Sequence, residues 1–173
     1  SPGDRPLQQW IDFAVEAGFT TIKVKTSGQV AADASFVLQV RDRLARRLER
    51  FTLRLDGNQG YTQRTCLRML DELERRRIAV ELFEQPLRRD DFAGLRGLAA
   101  RSGVPIILDE TVASESDCRR VIEGSLGAGV NIKIAKSGIA GSAAILAATP
   151  RGPQAHDRVH DRDDGGAVGR HLP

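Results

Sequence analysis

Three carboxylates close three successive apolar runs. Leu53-Arg54-Leu55 leads into Asp56, Val80-Glu81-Leu82-Phe83 into Glu84, and Ile106-Ile107-Leu108 into Asp109. About one strand–helix repeat separates each acid from the next. The run before them ends in Lys23-Val24-Lys25, and the run after them carries Lys133. In parallel α/β sheets and barrels the site gathers at the carboxyl ends of the strands, so five such runs deliver their charges to one mouth. Acids crowded on adjacent strands repel one another unless a cation sits among them. An all-oxygen donor set suits Mg²⁺, which also accepts water and substrate oxygens.

That layout has a chemical use. A hard cation can hold a substrate carboxylate and raise the acidity of the carbon beside it, because charge developing there falls on the metal. A lysine held near a second cation gives up its proton more readily and can then take one from that carbon. Residues two apart on a strand share a face, so Lys23 and Lys25 point the same way. Lysines on opposite sides of the carbon would remove a proton on one face and return it on the other, as racemisation or epimerisation requires. Taken singly, an acid at a strand end is a loop cap and a Lys-x-Lys an exposed edge. The argument rests on five strands showing the pattern in one register.

The elements that must position these groups are legible in the hydrophobic periodicity. Helices are predicted over Leu7–Ala17 (stripe Trp10, Ile11, Phe13, Ala14; stop at Gly18), Ala31–Arg50 (Phe36, Val37, Val40, Leu44) and Thr62–Arg77 (Leu67, Leu70, Leu73). Asp90 reads as the N-cap of a helix with Phe92, Leu95 and Leu98, and Ser114 as the cap of one ending at Gly124. A small-residue helix is predicted over Ile139–Ala148. Strands are predicted over Thr20–Lys25, Phe51–Asn58, Val80–Glu84 (ended by Pro86), Pro105–Asp109 and Val130–Ala135. Helices and strands alternate and the strands are continuously apolar, which predicts a parallel sheet covered on both faces with right-handed crossovers.

Composition narrows the class. The chain has 173 residues, 40% hydrophobic and 28% charged, with a net charge of +3. That is enough for one domain with a real core. No basic stripe with interleaved aromatics argues for nucleic acid, and no apolar run nears the roughly 20 residues that span a bilayer. Cys66 and Cys118 lack metal-ligand spacing and read as buried or half-buried free thiols of a cytoplasmic protein. Ser1-Pro2-Gly3-Asp4 is not a signal peptide, and without an initiator Met the chain reads as a fragment.

Five motifs in combination resemble the barrel domain of the enolase superfamily, in its muconate-lactonizing and mandelate racemase-like branch. They are Ile-Lys-Val-Lys, Leu-Asp-Gly-Asn-Gln-Gly, Phe-Glu-Gln-Pro, Leu-Asp-Glu-Thr and Val-Asn-Ile-Lys-Ile-Ala-Lys-Ser-Gly, between Leu7 and Ala148. The Gly of Asp-Gly-Asn is commonly Ala in the family, and Ser-Gly-Ile replaces the frequent x-Gly-Gly after Lys136. The resemblance implies Mg²⁺ as cofactor with Asp56, Glu84 and Asp109 as ligands. It implies Lys25 and Lys133 as acid/base pair, Lys23 as contact for the substrate carboxylate, and Asn58 and Glu110 as groups backing the ligands. Lys136 has no firm role. A small-molecule carboxylate is the implied partner, dipeptide epimerisation of the L-Ala-D/L-Glu type the first activity, and full-length relatives are expected to be homo-oligomers. Muconate cycloisomerase, N-acylamino-acid racemase and o-succinylbenzoate synthase remain alternatives.

The family fold is a (β/α)7β TIM-type barrel with a capping domain, so residues 1–150 are expected to form a partial barrel of about five to six of the eight βα units. The segment 151–173 differs in kind. It holds all three histidines, His156, His160 and His171, has no aromatic residue, and by composition should be disordered. One synonymous-codon choice for Gln154–Asp163, read one base later, spells Lys-Leu-Met-Ile-Gly-Cys-Met, the strand with which family members usually continue. The tail is therefore read as a frameshift product. An incomplete barrel would leave strand edges unpaired and an apolar interior open, which predicts poor stability and little catalysis, making an inactive fragment the main alternative to an enzyme.

Overall fold

A computed structural model describes residues 6–132, 141–143 and 145–147. Among the described residues from Leu7 to Val130, helices and strands strictly alternate: α1 Leu7–Glu16, β1 Thr21–Lys25, α2 Val30–Ala45, β2 Thr52–Asp56, α3 Gln63–Arg75, β3 Leu82–Glu84, α4 Phe92–Ala99, β4 Ile106–Leu108, α5 Glu115–Gly124 and β5 Gly129–Val130. The five strands form one sheet in the order β1-β2-β3-β4-β5, every pairing parallel. Sequential neighbours in a parallel sheet, each joined by a helix, are the arrangement of a barrel wall. Residues 141–143 and 145–147 are helical, within the predicted last helix. Lys133, Lys136 and the segment 151–173 lie outside the described residues.

Local chemistry explains the boundaries. Thr62 and Thr65 form a reciprocal capping box at the start of α3, and the Ser114 hydroxyl accepts from the Asp117 N–H to start α5. Gly18 takes a left-handed φ of 82° just past α1. Asp90 is not the cap of α4. Asp91 is: its carboxylate accepts from the Gly94 N–H at 2.9 Å, while exposed Asp90 pairs with Arg88 at 3.1 Å. The helix start is set by the acid whose side chain reaches the third amide, and that is one residue later than expected. Helix α2 ends at Ala45, short of the expected Arg50; the N–H groups of Arg47 and Leu48 both reach the Leu44 carbonyl, and Leu48 packs on the core.

The core lies between the sheet and its helices. Val24, Leu53, Leu55, Phe83, Ile106 and Leu108 project from the outer face of the strands onto Val37, Val40 and Leu44 of α2, Cys66, Met69 and Leu73 of α3, and Leu95 and Leu98 of α4. Three expected stripes shift. On α3 the fully buried seam is Cys66, Met69 and Leu73, with Leu67 and Leu70 at its margin. Phe36 on α2 and Phe13 on α1 stay exposed, at 41% and 47%. Both thiols are buried and are not joined in a disulfide.

The register assigns the opposite face. Lys23, Arg54 and Leu82 form one row across β1–β3, and Lys25, Asp56, Glu84 and Ile107 the next row toward the carboxyl ends. Partners in register project to the same side. The inner face is thus chiefly charged, not apolar as expected, with only Leu82 and Ile107 as hydrocarbon in these two rows. Arg54, 4% exposed, is ion-paired there to Glu81.

Candidate active site

The row Lys25–Asp56–Glu84 stands at the strand ends, where the chain leaves the sheet for its loops. The ladder continues past each strand by backbone bonds: Thr26 N–H to Asp56 O at 2.9 Å, Gly57 N–H to Glu84 O at 2.8 Å, Gln85 N–H to Ile107 O at 2.8 Å and Asn131 N–H to Leu108 O at 2.7 Å. The carboxylates therefore leave a rigid frame even though they sit at loop junctions. Asp56, Glu84 and Asp109 are buried, at 9%, 4% and 3% exposure.

Their mutual geometry differs from the expected converged triad. Among the described residues, no group of three or more His, Cys, Asp or Glu side chains is placed to hold a metal ion. Lys23 explains part of this. Its ammonium lies 2.8 Å from Glu84 Oε2 and 3.7 Å from Asp56 Oδ2, so these two acids gather on a lysine and not on each other. Asp109 lies two residues beyond Ile107, the partner of Glu84, and so one step above the row. As a donor set, the three buried carboxylates on adjacent strands still match a hard oxygen-seeking cation in chemistry.

The two lysines of β1 part company. Lys23 is tied into the acids, its side chain 21% exposed, whereas Lys25 is 73% exposed with Nζ 4.0 Å from Asp56 Oδ2. Lys25 is thus the lysine free to reach a bound molecule. Asn58 is exposed in a left-handed turn (φ 41°), and it is its backbone N–H that braces Asp56 Oδ1 at 3.0 Å. Glu110 is half-buried in the turn after Asp109.

Four participants were not singled out from the sequence. Asn131 donates from Nδ2 to Glu84 Oε1 at 2.8 Å, so Glu84 is held from both sides. Gln85 spans the ends of β3 and β4. Asp33, in the first turn of α2, accepts from Ser27 N–H and Gly28 N–H at 2.9 Å and from the Tyr61 hydroxyl at 2.5 Å. That clasp joins the loop after β1 to the loop after β2. Burial, then the bond to Asp33, holds the Tyr61 phenol well above its ordinary range. The position of Asn131 two residues before Lys133 in the predicted strand Val130–Ala135 was the available signal. Nothing local marked Asp33 or Tyr61.

Comparison with known proteins follows from this geometry. A model of the family described as Enolase C-terminal domain-like matches residues 7–149. The L-Ala-D/L-Glu epimerase of Francisella tularensis subsp. novicida is 35% identical over 130 residues, covering 75% of this chain and 36% of that protein. A mandelate racemase/muconate lactonizing enzyme from Roseiflexus sp. superposes with a TM-score of 0.76 at 38% identity, over 82% of this chain and 40% of that one. The dipeptide epimerase of Enterococcus faecalis V583, solved with Mg and the dipeptide L-Leu-L-Tyr, superposes with a TM-score of 0.74 at 27% identity, over 82% of this chain and 39% of that one. The chain spans little more than a third of the curated relative described here. With a parallel wall of βα units, acids and lysines in register at its carboxyl rim, and a family match over nearly all described residues, the chain belongs to the enolase C-terminal domain-like family, the barrel domain of the mandelate racemase/muconate lactonizing group.

Proposed function

We propose that this chain carries the metal-binding wall and one acid/base of an Mg²⁺-dependent epimerase site that moves the proton next to a substrate carboxylate, with a dipeptide of the L-Ala-D/L-Glu type as substrate. One observation carries the reading: three buried carboxylates end three adjacent parallel strands beside a lysine pair of which one is anchored and one is free. Asp56, Glu84 and Asp109 would hold the ion, with Asn58 and Glu110 backing them. Bound there, Mg²⁺ supplies positive charge toward a substrate carboxylate and so acidifies the neighbouring C–H.

The chain's own residues do the rest. Lys23 keeps Asp56 and Glu84 in place and offers its ammonium to the substrate carboxylate. Lys25 takes or returns the proton on one face of the carbon, and Lys133 is assigned the other face. The dipeptide-bound Mg complex of the Enterococcus faecalis relative supports both the metal and the substrate class. No described helix is long and apolar enough to cross a membrane.

Two measurements test the proposal. Mn²⁺, as an EPR-visible substitute for Mg²⁺, should bind the wild-type chain and bind Glu84→Gln at least about tenfold more weakly. A chimera carrying residues 7–149 in place of the matching segment of the Francisella epimerase should exchange the dipeptide α-proton in D2O, and Lys25→Ala should abolish epimerisation together with exchange from one of the two epimers, the other still exchanging through Lys133. Metal binding without exchange in a folded chimera would favour a metal-binding relic over an enzyme. No Mn²⁺ binding at all would remove the reading.

A further inference from the structure

We propose that Gln85 is the positioning residue that sets the direction of Asp109, and that it does so by gripping the backbone on either side of Glu110. The inference rests on the metal reading above.

Gln85 is wholly buried and adopts a left-handed φ of 33°, a conformation uncommon for a residue with a side chain. The turn takes the backbone of β3 away from β4 after Glu84, where the Gln85 N–H makes its last bond to Ile107 O. Beyond β4 the side chain of Gln85 receives the next amides. Its Oε1 accepts from the Asp109 N–H at 2.9 Å and from the Thr111 N–H at 3.1 Å. Its Nε2 donates to Leu87 O at 2.9 Å, and the Thr111 hydroxyl lies within 2.9 Å of Nε2 and 3.1 Å of Oε1. Its own carbonyl receives the Gln59 N–H at 2.8 Å, from the loop after β2.

One residue thus fastens the rims of three strands that lead into the three acids: its side-chain amide joins the end of β3 to the turn after β4, and its main-chain carbonyl holds the loop after β2. Holding the N–H of Asp109 and of Thr111 fixes the backbone torsions from which the Asp109 carboxylate departs. The position needs an acceptor and a donor at one length. A glutamate would lose the bond to Leu87 O and add a charge beside Asp109. A methionine would leave two buried N–H groups and a carbonyl unpaired. The motif Glu-Gln-Pro therefore combines a ligand, the clamp for the next ligand, and a proline whose carbonyl takes the Tyr61 N–H at 2.9 Å.

The test compares Gln85→Met with a control of similar instability remote from the rim, Leu98→Ala, in the whole chain. Mn²⁺ affinity is read by EPR and stability by melting temperature. Both variants should melt earlier, but only Gln85→Met should lose Mn²⁺ affinity, by about 10–100-fold. Equal loss in both, or wild-type affinity in Gln85→Met, overturns the proposal while leaving the metal reading intact. Failure of the wild-type chain to bind Mn²⁺ overturns both. Should Gln85→Met not fold, the wild-type chain decides: Mg²⁺ should slow hydrogen exchange at the Asp109 and Thr111 amides more than at the Val24 amide, because binding and clamp stabilise each other reciprocally. Unchanged exchange at those two amides overturns the proposal.

Discussion

Lys23 and Lys25 differ in neither residue type nor strand, yet they have different surroundings and should fail differently. Lys23→Ala removes the ammonium shared by two buried acids and should cost roughly 1–2 kcal/mol, less than a fully buried pair because a fifth of the side chain is in water. Lys25→Ala should change stability by under about 0.5 kcal/mol, since its side chain is mostly exposed. Urea unfolding of the two variants separates them, and equal losses would contradict the assignment of one lysine as anchor and the other as reagent. At this scale the acids and lysines were legible because they recur at the ends of apolar runs. Gln85, Asp33 and Tyr61 were not legible as site supports. Their partners are loop amides and side chains from other βα units, and only the register and the loop turns bring those together.

At the scale of elements, the start of α4 offers a direct comparison of adjacent acids. Asp91→Ala should cost about 1 kcal/mol by removing a cap, and Asp90→Ala much less, because its partner Arg88 is exposed on a solvated loop. Thermal melts of the two variants check this. Gly28 is a second point. Its φ is 89°, and a Cβ there would stand 2.1 Å from the Gly60 carbonyl oxygen. Gly28→Ala should therefore lose at least ~1–3 kcal/mol from backbone strain alone, loosening the loops that leave β1 and β2. A denaturation midpoint equal to wild type would show that the two loops are not in contact. Helix and strand order was readable throughout from periodicity. Strand ends were not. Val80 and Pro105 belong to apolar runs but precede the first paired residues, because pairing is decided by the neighbour and not by hydrophobicity.

For the molecule as a whole, the buried protonated groups predict a one-sided pH response. Burial pushes the Cys66 thiol from an ordinary 9.0 up to about 12, and burial with the Asp33 bond raises Tyr61 from its ordinary 10.0. Above pH 9 the unfolded chain releases protons that the folded chain retains. Stability from these groups is therefore complete below about pH 9 and falls as pH rises toward 12. Cys66→Ala should start from lower stability, for lack of the sulfur's packing, but show a shallower alkaline decline. An unchanged slope in pH-dependent urea titrations would rule out Cys66 as its source. The parallel α/β class was legible from alternating elements. The charged character of the inner face below the rim was not, because Arg54 sits in a run, Leu53-Arg54-Leu55, that reads as an ordinary buried strand.

The alternation along each strand separates two tasks that single-layered folds must combine. Leu53, Leu55 and Phe83 adhere to helices, while Arg54, Asp56 and Glu84, interleaved with them, face the other way. Exchanging an inner residue for another of similar reach leaves every helix contact in place. A lineage built on this wall can therefore change the reaction it performs one rim residue at a time, passing through intermediates that still fold. Its reactivity and its architecture are open to selection separately.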